Sequence, residues 1–297
     1  MMKPTLILRM VFGTVAVLFL VVLAVLGASA ALPAEAAIFY TSNRRGIEDV
    51  FTADILRGIH VNLTRSDTWN GSPARSPDGS RIAFSSRRDG NTEIYVMDVV
   101  GRNVERLTHS PARDIDPVWS PDGTQIAFNS DRAGNWEIYV MDADGSNPRR
   151  LTHSPVEDHS PAWSPDGSQI AYISYHEFNW AIFVMNADGS DSRLLAGHQN
   201  ARFLDPVWSP DGSKIAFASD RIPFNFEIWA MDADGSSKQR LTDNPAMDSN
   251  PVWSADGSAI LFESWRDGNL EIYRMNADGS DVRRLTSNEA RDSDPAP

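Results

Sequence analysis

The chain repeats one short unit along almost its whole length, and no other feature limits its possible folds as strongly. A Pro-Asp-Gly turn, or its Ala-Asp-Gly variant, recurs every 44 or 45 residues, with its aspartates at Asp78, Asp122, Asp166, Asp211 and Asp256. Two further strings recur six times in step with it, one similar to Glu-Ile-Tyr-Val-Met and one similar to Arg-Leu-Thr. Three markers that keep one spacing indicate a tandem array of similar structural units.

One period is typical of four short antiparallel strands, named A to D here. In the third period, strand A is predicted at 116–120, strand B at 125–130, strand C at 137–141 and strand D at 149–152. Pro121, Asp122 and Gly123 predict a tight turn between A and B, because proline presets φ and glycine accepts a positive φ. Strands B and C are rich in Ile, Phe, Tyr and Val. Four strands in about 40–45 residues predict one blade of an all-β, six-bladed propeller.

The two ends of the array complement each other. The first repeat begins at strand B, since residues 38–42 align with residues 82–86, and it has no strand A of its own. The chain ends with residues 294–297, which align with the start of strand A at 250–253. We therefore expect the C-terminal strand to complete the first blade and close the ring, which removes the open edges of the array.

The period resembles the repeat of a known family, best at residues 119–152 and 253–286. The matching motifs are Trp-Ser-Pro-Asp-Gly-Ser-x-Ile-Ala-Phe, Arg-x-Gly-Asn-x-Glu-Ile-Tyr-Val-Met, Ala-Asp-Gly-Ser and Arg-Leu-Thr. They resemble the TolB-type, WD40-like propeller repeat, and the resemblance covers residues 38–297. It implies a propeller and a role in protein binding. TolB proteins also carry an α/β domain before the propeller, which we expect to be absent here because the first strand closely follows the N-terminal segment.

The first 36 residues differ in composition from the array. Lys3 and Arg9 precede an uncharged apolar run from Met10 to Ala34. The run suits a signal peptide, since residues 28–30 and 34–36 both fit a small-x-small cleavage site. It is also long enough for a retained membrane anchor. Both interpretations predict an exported propeller at residues 37–297, periplasmic or extracellular, whose N-terminal segment engages the membrane or the export machinery.

Charge and composition limit the possible partners. The chain has 27 Lys and Arg against 40 Asp and Glu, a formal net charge of -13. This balance argues against a nucleic-acid partner, which requires clustered basic residues. It favours an envelope or secreted protein with a basic patch, or a cation. The chain has no cysteine, which excludes disulfides, thiolate metal sites and cysteine nucleophiles.

The two ends of the blades differ in sequence variability. The A–B and C–D turns lie together on what we call the turn face, and they repeat nearly the same residues in every blade. The B–C loops and D–A connections lie on the opposite loop face, where residues 108–116, 152–160 and 196–205 differ from one another. Because binding residues concentrate on variable loops held by a rigid scaffold, we predict recognition through the loop face.

Acidic and histidine side chains of the loop face are the candidate binding residues. They are Asp114, Asp116, Asp158, Asp205, Asp248, Asp292 and Asp294, with His109, His153, His159 and His198. The aspartates start the innermost strands, so we expect them to ring a central funnel and to attract a cation or a basic protein patch. A structural alternative pairs them, between neighbouring blades, with side chains of the B–C loops. These are Arg44, Arg88, Arg132, Arg221 and Arg266, with His176 in the fourth blade.

Aromatic residues also fall near this face. Trp136, Trp180 and Phe226 precede or begin strand C, where they serve either inter-blade packing or the anchoring of a partner. Trp119, Trp163, Trp208 and Trp253 share one strand A position and are expected in the core between blades, while Arg75 replaces this tryptophan in the second blade.

Catalysis is the alternative to a binding role. A divalent cation held by the funnel acids and histidines would suit a metal-dependent lactonase- or lyase-like enzyme. No His-x-x-x-His spacing supports such a site, and no Gly-x-Ser-x-Gly elbow indicates a hydrolase. The sequence therefore favours a protein-binding platform without catalytic residues or a cofactor over this enzyme and over a purely structural role.

Overall fold

A computed structural model describes residues 37–221 and 225–297 of the chain. The predicted export segment, residues 1–36, lies outside these ranges, as do residues 222–224 in the B–C loop of the fifth blade. No helix in the described ranges is long and apolar enough to cross a membrane.

The described residues form six four-stranded antiparallel sheets, the blades of a propeller. With strands numbered in chain order and given from the inside outward, blade 1 holds β24 (Asp292–Ala296), β1 (Ala37–Ser42), β2 (Asp49–Asp54) and β3 (Ile59–Asn62), and blade 2 holds β4 (Asn70–Arg75), β5 (Arg81–Ser86), β6 (Glu93–Asp98) and β7 (Glu105–Arg106). Blade 3 holds β8 (Asp114–Trp119), β9 (Gln125–Ser130), β10 (Glu137–Asp142) and β11 (Arg149–Arg150), and blade 4 holds β12 (Asp158–Trp163), β13 (Gln169–His176), β14 (Asn179–Asn186) and β15 (Arg193–Ala196). Blade 5 holds β16 (Phe203–Trp208), β17 (Lys214–Ser219), β18 (Glu227–Asp232) and β19 (Gln239–Arg240), and blade 6 holds β20 (Asp248–Trp253), β21 (Ala259–Ser264), β22 (Glu271–Asn276) and β23 (Arg283–Arg284).

This arrangement confirms the predicted fold class and the predicted closure of the ring. β24, at the C-terminal end, pairs antiparallel with β1 and supplies the strand that the first repeat lacks. The innermost strands of neighbouring blades contact each other all the way round, from β4 through β20 and β24 back to β4. Their inward side chains therefore line the axis of the propeller.

Each innermost strand contains a β-bulge at a residue-proline pair. The register shifts by an extra residue at this pair in all six blades. The residue before the proline has a left-handed φ of 49° to 55°; these residues are Ser72, Asp116, Ser160, Asp205, Asn250 and Asp294. Strand A was predicted to begin at this pair, but β8 begins two residues earlier, at Asp114. The bulge explains the difference, because it accommodates within the strand a proline that has no N–H for the ladder.

The hydrophobic core lies between blades. Six clusters of buried side chains each join two neighbouring blades. The four strand A tryptophans contribute to four of them and are only 6–8% exposed, as the sequence predicts. Arg75, which replaces a tryptophan, lies instead with its guanidinium 5.9 Å from the ring centroid of Phe39 in blade 1.

Buried glutamates fix the loop face to this core. Glu137, fully buried at the start of β10, accepts hydrogen bonds from Asn135 in the B–C loop and from Thr152 at the end of the outer strand. Glu93, Glu227 and Glu271 occupy the same place in blades 2, 5 and 6. The recurring Asn-x-Glu and Arg-Leu-Thr strings therefore hold the loops, and the variable residues between them are displayed on a rigid frame.

Candidate functional site

A cavity of about 460 Å³ lies on the propeller axis between the innermost strands. The six bulge residues line its end nearest the loop face, and the rest of the lining follows the innermost strands towards the turn face, as far as Pro77. Three of the six bulge residues are aspartates. Going round the ring, Asp116, Asp205 and Asp294 alternate with Ser72, Ser160 and Asn250. The bulges create this ring, because each one turns the side chain before the proline towards the axis.

Each aspartate of the ring accepts a hydrogen bond from the polar residue beside it. Ser72 Oγ donates to Asp116 Oδ1 at 2.7 Å, and Ser160 Oγ donates to Asp205 Oδ1 at 3.3 Å. Asn250 Nδ2 lies 3.4 Å from Asp294 Oδ1. The neutral partners orient the carboxylates without neutralising them.

Glu263 adds a fourth carboxylate beside this ring. It lies on β21, where Asn250 Nδ2 donates to its Oε1 at 2.9 Å and the backbone N of Asp294 donates to the same oxygen at 2.7 Å. Sequence reasoning missed it. The signal was present, because the aligned strand B positions carry Thr41, Ser85, Asn129, Ile173 and Ala218, and only this blade places a carboxylate there.

Burial and mutual repulsion disfavour the charged forms of Glu263, Asp205 and Asp294. Burial, together with the charge of Asp294, raises the pKa of Glu263 to about 7. Burial raises the pKa of Asp205 to about 6, with a contribution from Asp116 and Asp294, and burial likewise raises the pKa of Asp294. Within the described residues, no Arg, Lys or His forms an ion pair with these carboxylates. Arg75 also lines the cavity but forms no ion pair with them. A cationic group that reached these carboxylates would therefore be stabilised by charges that no described residue pairs with.

Glu263→Gln should stabilise the folded protein at alkaline pH. A carboxyl whose pKa is raised on folding binds its proton more tightly in the folded state, so stability falls as pH rises from about 4.5 to 7. The amide of glutamine does not ionise and so avoids this loss of stability. We expect the unfolding free energy to rise by about 1–3 kcal/mol at pH 8 and to be unchanged below pH 4. Urea unfolding at several pH values measures it. An equal gain at pH 4 and pH 8 would contradict the assigned cause.

Three of the other predicted acids are bound to arginines instead of facing the cavity. Asp114, Asp248 and Asp292 are buried and pair with Arg132, Arg266 and Arg44 at 2.6, 2.9 and 2.8 Å, respectively. Each pair lies within one blade, where the arginine of the B–C loop reaches the innermost strand. The partners are those of the structural alternative, but the pairs form within a blade and not between neighbouring blades, because each B–C loop folds over its own innermost strand.

Asp158 occupies the same position in blade 4 but lacks the arginine. His176 stands in its place and lies 3.8 Å from Glu177 instead. Asp158 is 1% exposed, and within the described residues its Oδ1 has no hydrogen-bond partner. Burial therefore raises its pKa to about 6, with nearby Glu137 adding to the shift.

The candidate histidines are not brought together with the acid ring. His109, His153 and His198 are exposed on the D–A connections, next to the outermost strands. His159 is half-buried between the rings of Trp136 and Trp180, at centroid distances of 5.5 and 5.4 Å. No group of three or more His, Asp or Glu side chains in the described ranges is placed to hold a metal ion.

The aromatic residues at the start of the third strand of blades 3, 4 and 5 form part of the rim of the loop face. Trp136 and Trp180 are half-buried and share His159 between them, while Phe226 lies under Arg202 with the guanidinium 4.5 Å from the ring centroid. The aromatic rings are thus partly in core contacts and partly accessible at the loop face.

Known proteins resemble the chain in sequence and in fold. The family model of the TolB beta propeller domain matches residues 29–159 and 135–296. No curated protein matches the chain in sequence.

Among solved structures, a protein of Agrobacterium tumefaciens assigned as TolB is 25% identical with a TM-score of 0.69, over 84% of this chain and 88% of its own. TolB from Acinetobacter baumannii is 24% identical with a TM-score of 0.78, over 88% of this chain and 66% of its own. An oligogalacturonate lyase in complex with manganese shares the fold at 18% identity and a TM-score of 0.56, over 84% of this chain and 72% of its own. Propellers of this shape thus include both TolB proteins and an enzyme, so the fold alone does not decide between binding and catalysis.

Proposed function

Because the chain belongs to the TolB beta-propeller family, we propose that it is a non-enzymatic platform that binds a partner protein through its loop face. A basic segment of the partner is held by Asp116, Asp205 and Asp294, which lie at the end of the axial cavity nearest the loop face. The family supports a protein-interaction role in general, and the cavity supplies the chemistry that would select a basic partner.

The observation that carries this proposal is the ring of carboxylates, which form no ion pair within the described ranges 37–221 and 225–297. Asp114, Asp248 and Asp292 already hold arginines of their own blades, whereas the ring acids accept hydrogen bonds, within the described residues, only from neutral groups. Buried charges without a partner reduce stability unless a ligand supplies the opposite charge. A cationic segment would recover that free energy on binding, which favours a basic partner over a neutral one.

The proposal places the partner in the cell envelope or outside the cell. The N-terminal basic residues and apolar run support export, either with cleavage or with retention as an anchor. Ala37, where β1 begins, pairs with Asp54 beside a C–D turn and therefore lies at the turn face. An anchored protein would then direct its loop face away from the membrane and towards a partner.

A capture experiment with two matched variants tests the platform role. The full-length protein is used as bait in native envelope extract, and retained proteins are identified by mass spectrometry. The variant D116N/D205N/D294N removes the ring charges. The control D122N/D166N/D211N removes three aspartate charges from exposed A–B turns on the opposite face.

We expect a specific protein to be retained by the wild type and by the turn-face control, with or without a chelator, and to be lost with the ring variant. Equal retention by all three proteins would show that the ring does not bind it. Retention that a chelator abolishes would favour the metal-dependent alternative.

A further inference from the structure

Blade 3 places one of its own arginines on an aromatic ring at the loop face. Arg113 precedes the innermost strand, Asp131 follows the second strand and Trp136 precedes the third. The Arg113 guanidinium lies 4.7 Å from the Trp136 ring centroid, and its Nε donates to Asp131 Oδ2 at 2.8 Å. The carboxylate fixes the guanidinium on the ring, which is a cation–π contact with an ion pair at its edge.

Blade 5 repeats the arrangement with different residues. Arg202, Asp220 and Phe226 occupy the same three positions. The guanidinium is 4.5 Å from the ring centroid and its Nε donates to Asp220 Oδ2 at 2.8 Å. The two blades therefore form the same cation–π and ion-pair contact independently.

Blade 4, which lies between them, keeps the aromatic residue but has an acidic residue where blades 3 and 5 have the arginine. Its three residues at these positions are Glu157, Tyr175 and Trp180. One backbone contact is shared with blade 3, since Tyr175 N donates to Glu157 O at 3.3 Å, as Asp131 N does to Arg113 O. Within the described residues no guanidinium or ammonium lies over Trp180, and a carboxylate is present where the neighbouring blades place a cation.

Two of the three blade 4 residues are exposed, and Trp180 is half-buried. The Glu157 side chain is 52% exposed and Tyr175 is 43% exposed, and the tyrosine ring packs edge-on against Trp180 at 5.6 Å. Glu157 lies 3.5 Å from His159 Nε2, but burial lowers the pKa of His159, so that ring is neutral near pH 7 and leaves the carboxylate charge uncompensated.

The hairpin beside these residues is also unusual. β13 and β14 have eight residues each, two more than the matching strands of the other blades. Their turn places Glu177 and Phe178 at φ of 45° and 75°, where glycine is normally preferred, and Phe178 is 88% exposed. Backbone strain of this kind concentrates at binding sites. Blade 4 thus extends the loop face at the point where the charge is reversed.

We propose that Glu157, Tyr175 and Trp180 form a site for an arginine side chain of the partner, with the guanidinium stacked on Trp180 and paired with Glu157. This inference rests on the proposed function, because it names a chemical feature of the partner that the platform binds. A guanidinium suits the site better than an ammonium, since its plane stacks on a ring while its edge binds a carboxylate. The partner supplies the arginine that blades 3 and 5 supply for themselves.

Titration with two short peptides tests the site. Full-length protein with ¹⁵N-labelled indoles is titrated with Ac-Gly-Arg-Gly-NH₂ and with the same peptide carrying citrulline, which has nearly the shape of arginine but no charge. The Trp180 indole signal is assigned by its absence in Trp180→Phe. We expect the arginine peptide to shift this signal saturably and the citrulline peptide to leave it in place. No shift, or equal shifts with both peptides, would overturn the site.

Three substitutions separate the site from general charge effects. Glu157→Arg should fill the site from within, as in blades 3 and 5, and should weaken arginine-peptide binding at least about 10-fold. Glu157→Gln removes only the charge and provides the same test if Glu157→Arg fails to fold. Glu289→Arg makes the same charge change at an exposed D–A connection of blade 6 and should alter binding by less than about 2-fold. Equal losses in Glu157→Arg and Glu289→Arg would contradict the proposal.

Failure of this inference is distinguishable from failure of the proposed function. If the ring variant loses the partner but the peptides do not shift the Trp180 signal, the arginine site is rejected and the platform role is kept. If the arginine peptide shifts the Trp180 signal but no captured protein depends on the ring aspartates, the arginine site is kept and partner binding at the axial cavity is rejected.

Discussion

Deleting residues 292–297 is expected to unfold the protein or open its ring, with a loss of at least about 5 kcal/mol of unfolding free energy. The deletion removes β24, so that β1 becomes an exposed edge and Arg44 loses Asp292. Ala296 also leaves the core between blades 1 and 2. Because a typical domain is stable by only about 5–15 kcal/mol, the loss approaches the whole stability. Urea unfolding followed by circular dichroism measures it.

Deleting Pro297 alone is the matched control. This residue follows β24, and its removal should change stability by less than about 0.5–1 kcal/mol. Asp292→Asn gives an intermediate step, since it keeps the strand but weakens the contacts with Ser42 and Arg44. A six-residue deletion that melts like the wild type would show that the ring does not depend on its C-terminal strand.

Asparagine substitution at one strand position is expected to have opposite effects in two blades. Asp248→Asn should lower the unfolding free energy by about 2–4 kcal/mol. Arg266 would lose its ion pair with a fully buried carboxylate, to both oxygens of which its Nη2 donates. Asp158→Asn should raise the unfolding free energy by about 1–3 kcal/mol at pH 7.5, since that carboxylate is buried without an arginine. Urea unfolding of both variants at pH 7.5 measures the two changes.

The pH dependence separates the two cases further. The pKa of Asp158 is raised to about 6 from an ordinary 3.8, so its ionisation lowers stability as pH rises through this interval. The gain from Asp158→Asn should therefore disappear below about pH 4, where both states are protonated. A gain that persists at pH 3.5, or a loss at pH 7.5, would contradict the account of an unpaired buried acid.

The fold was predictable because its determinants are local and recur six times. The Pro-Asp-Gly turns, the strand alternation and the complementary ends of the array each specify the propeller, and they agree. The predicted start of strand A was wrong because of one geometric feature, the β-bulge. Pro117 was expected at a strand start, whereas a bulge allows it inside β8. A spacing pattern does not reveal a register shift, which depends on pairing with the neighbouring strand.

The candidate site was only partly predictable for the same reason. Asp114 and Asp116 are two residues apart and were expected to share the funnel, yet the bulge sends Asp116 to the axis and leaves Asp114 with Arg132. Glu263 was missed because it lies inside a strand that the pattern assigned to the core. The charge reversal at Glu157 is visible in the aligned repeats, but its meaning depends on knowing that Arg113 stacks on Trp136.

The left-handed bulges also restrict which side chains can line the axis. A φ near 50° is tolerated by Gly, Asn and Asp far better than by long or β-branched residues, and the six positions hold only Asp, Asn and Ser. Substitution at these positions can therefore switch each side chain between neutral and anionic at little conformational cost, whereas lysine or isoleucine would strain the backbone. The number of negative charges at these six positions can accordingly vary over evolution. The backbone disfavours basic or large apolar side chains there.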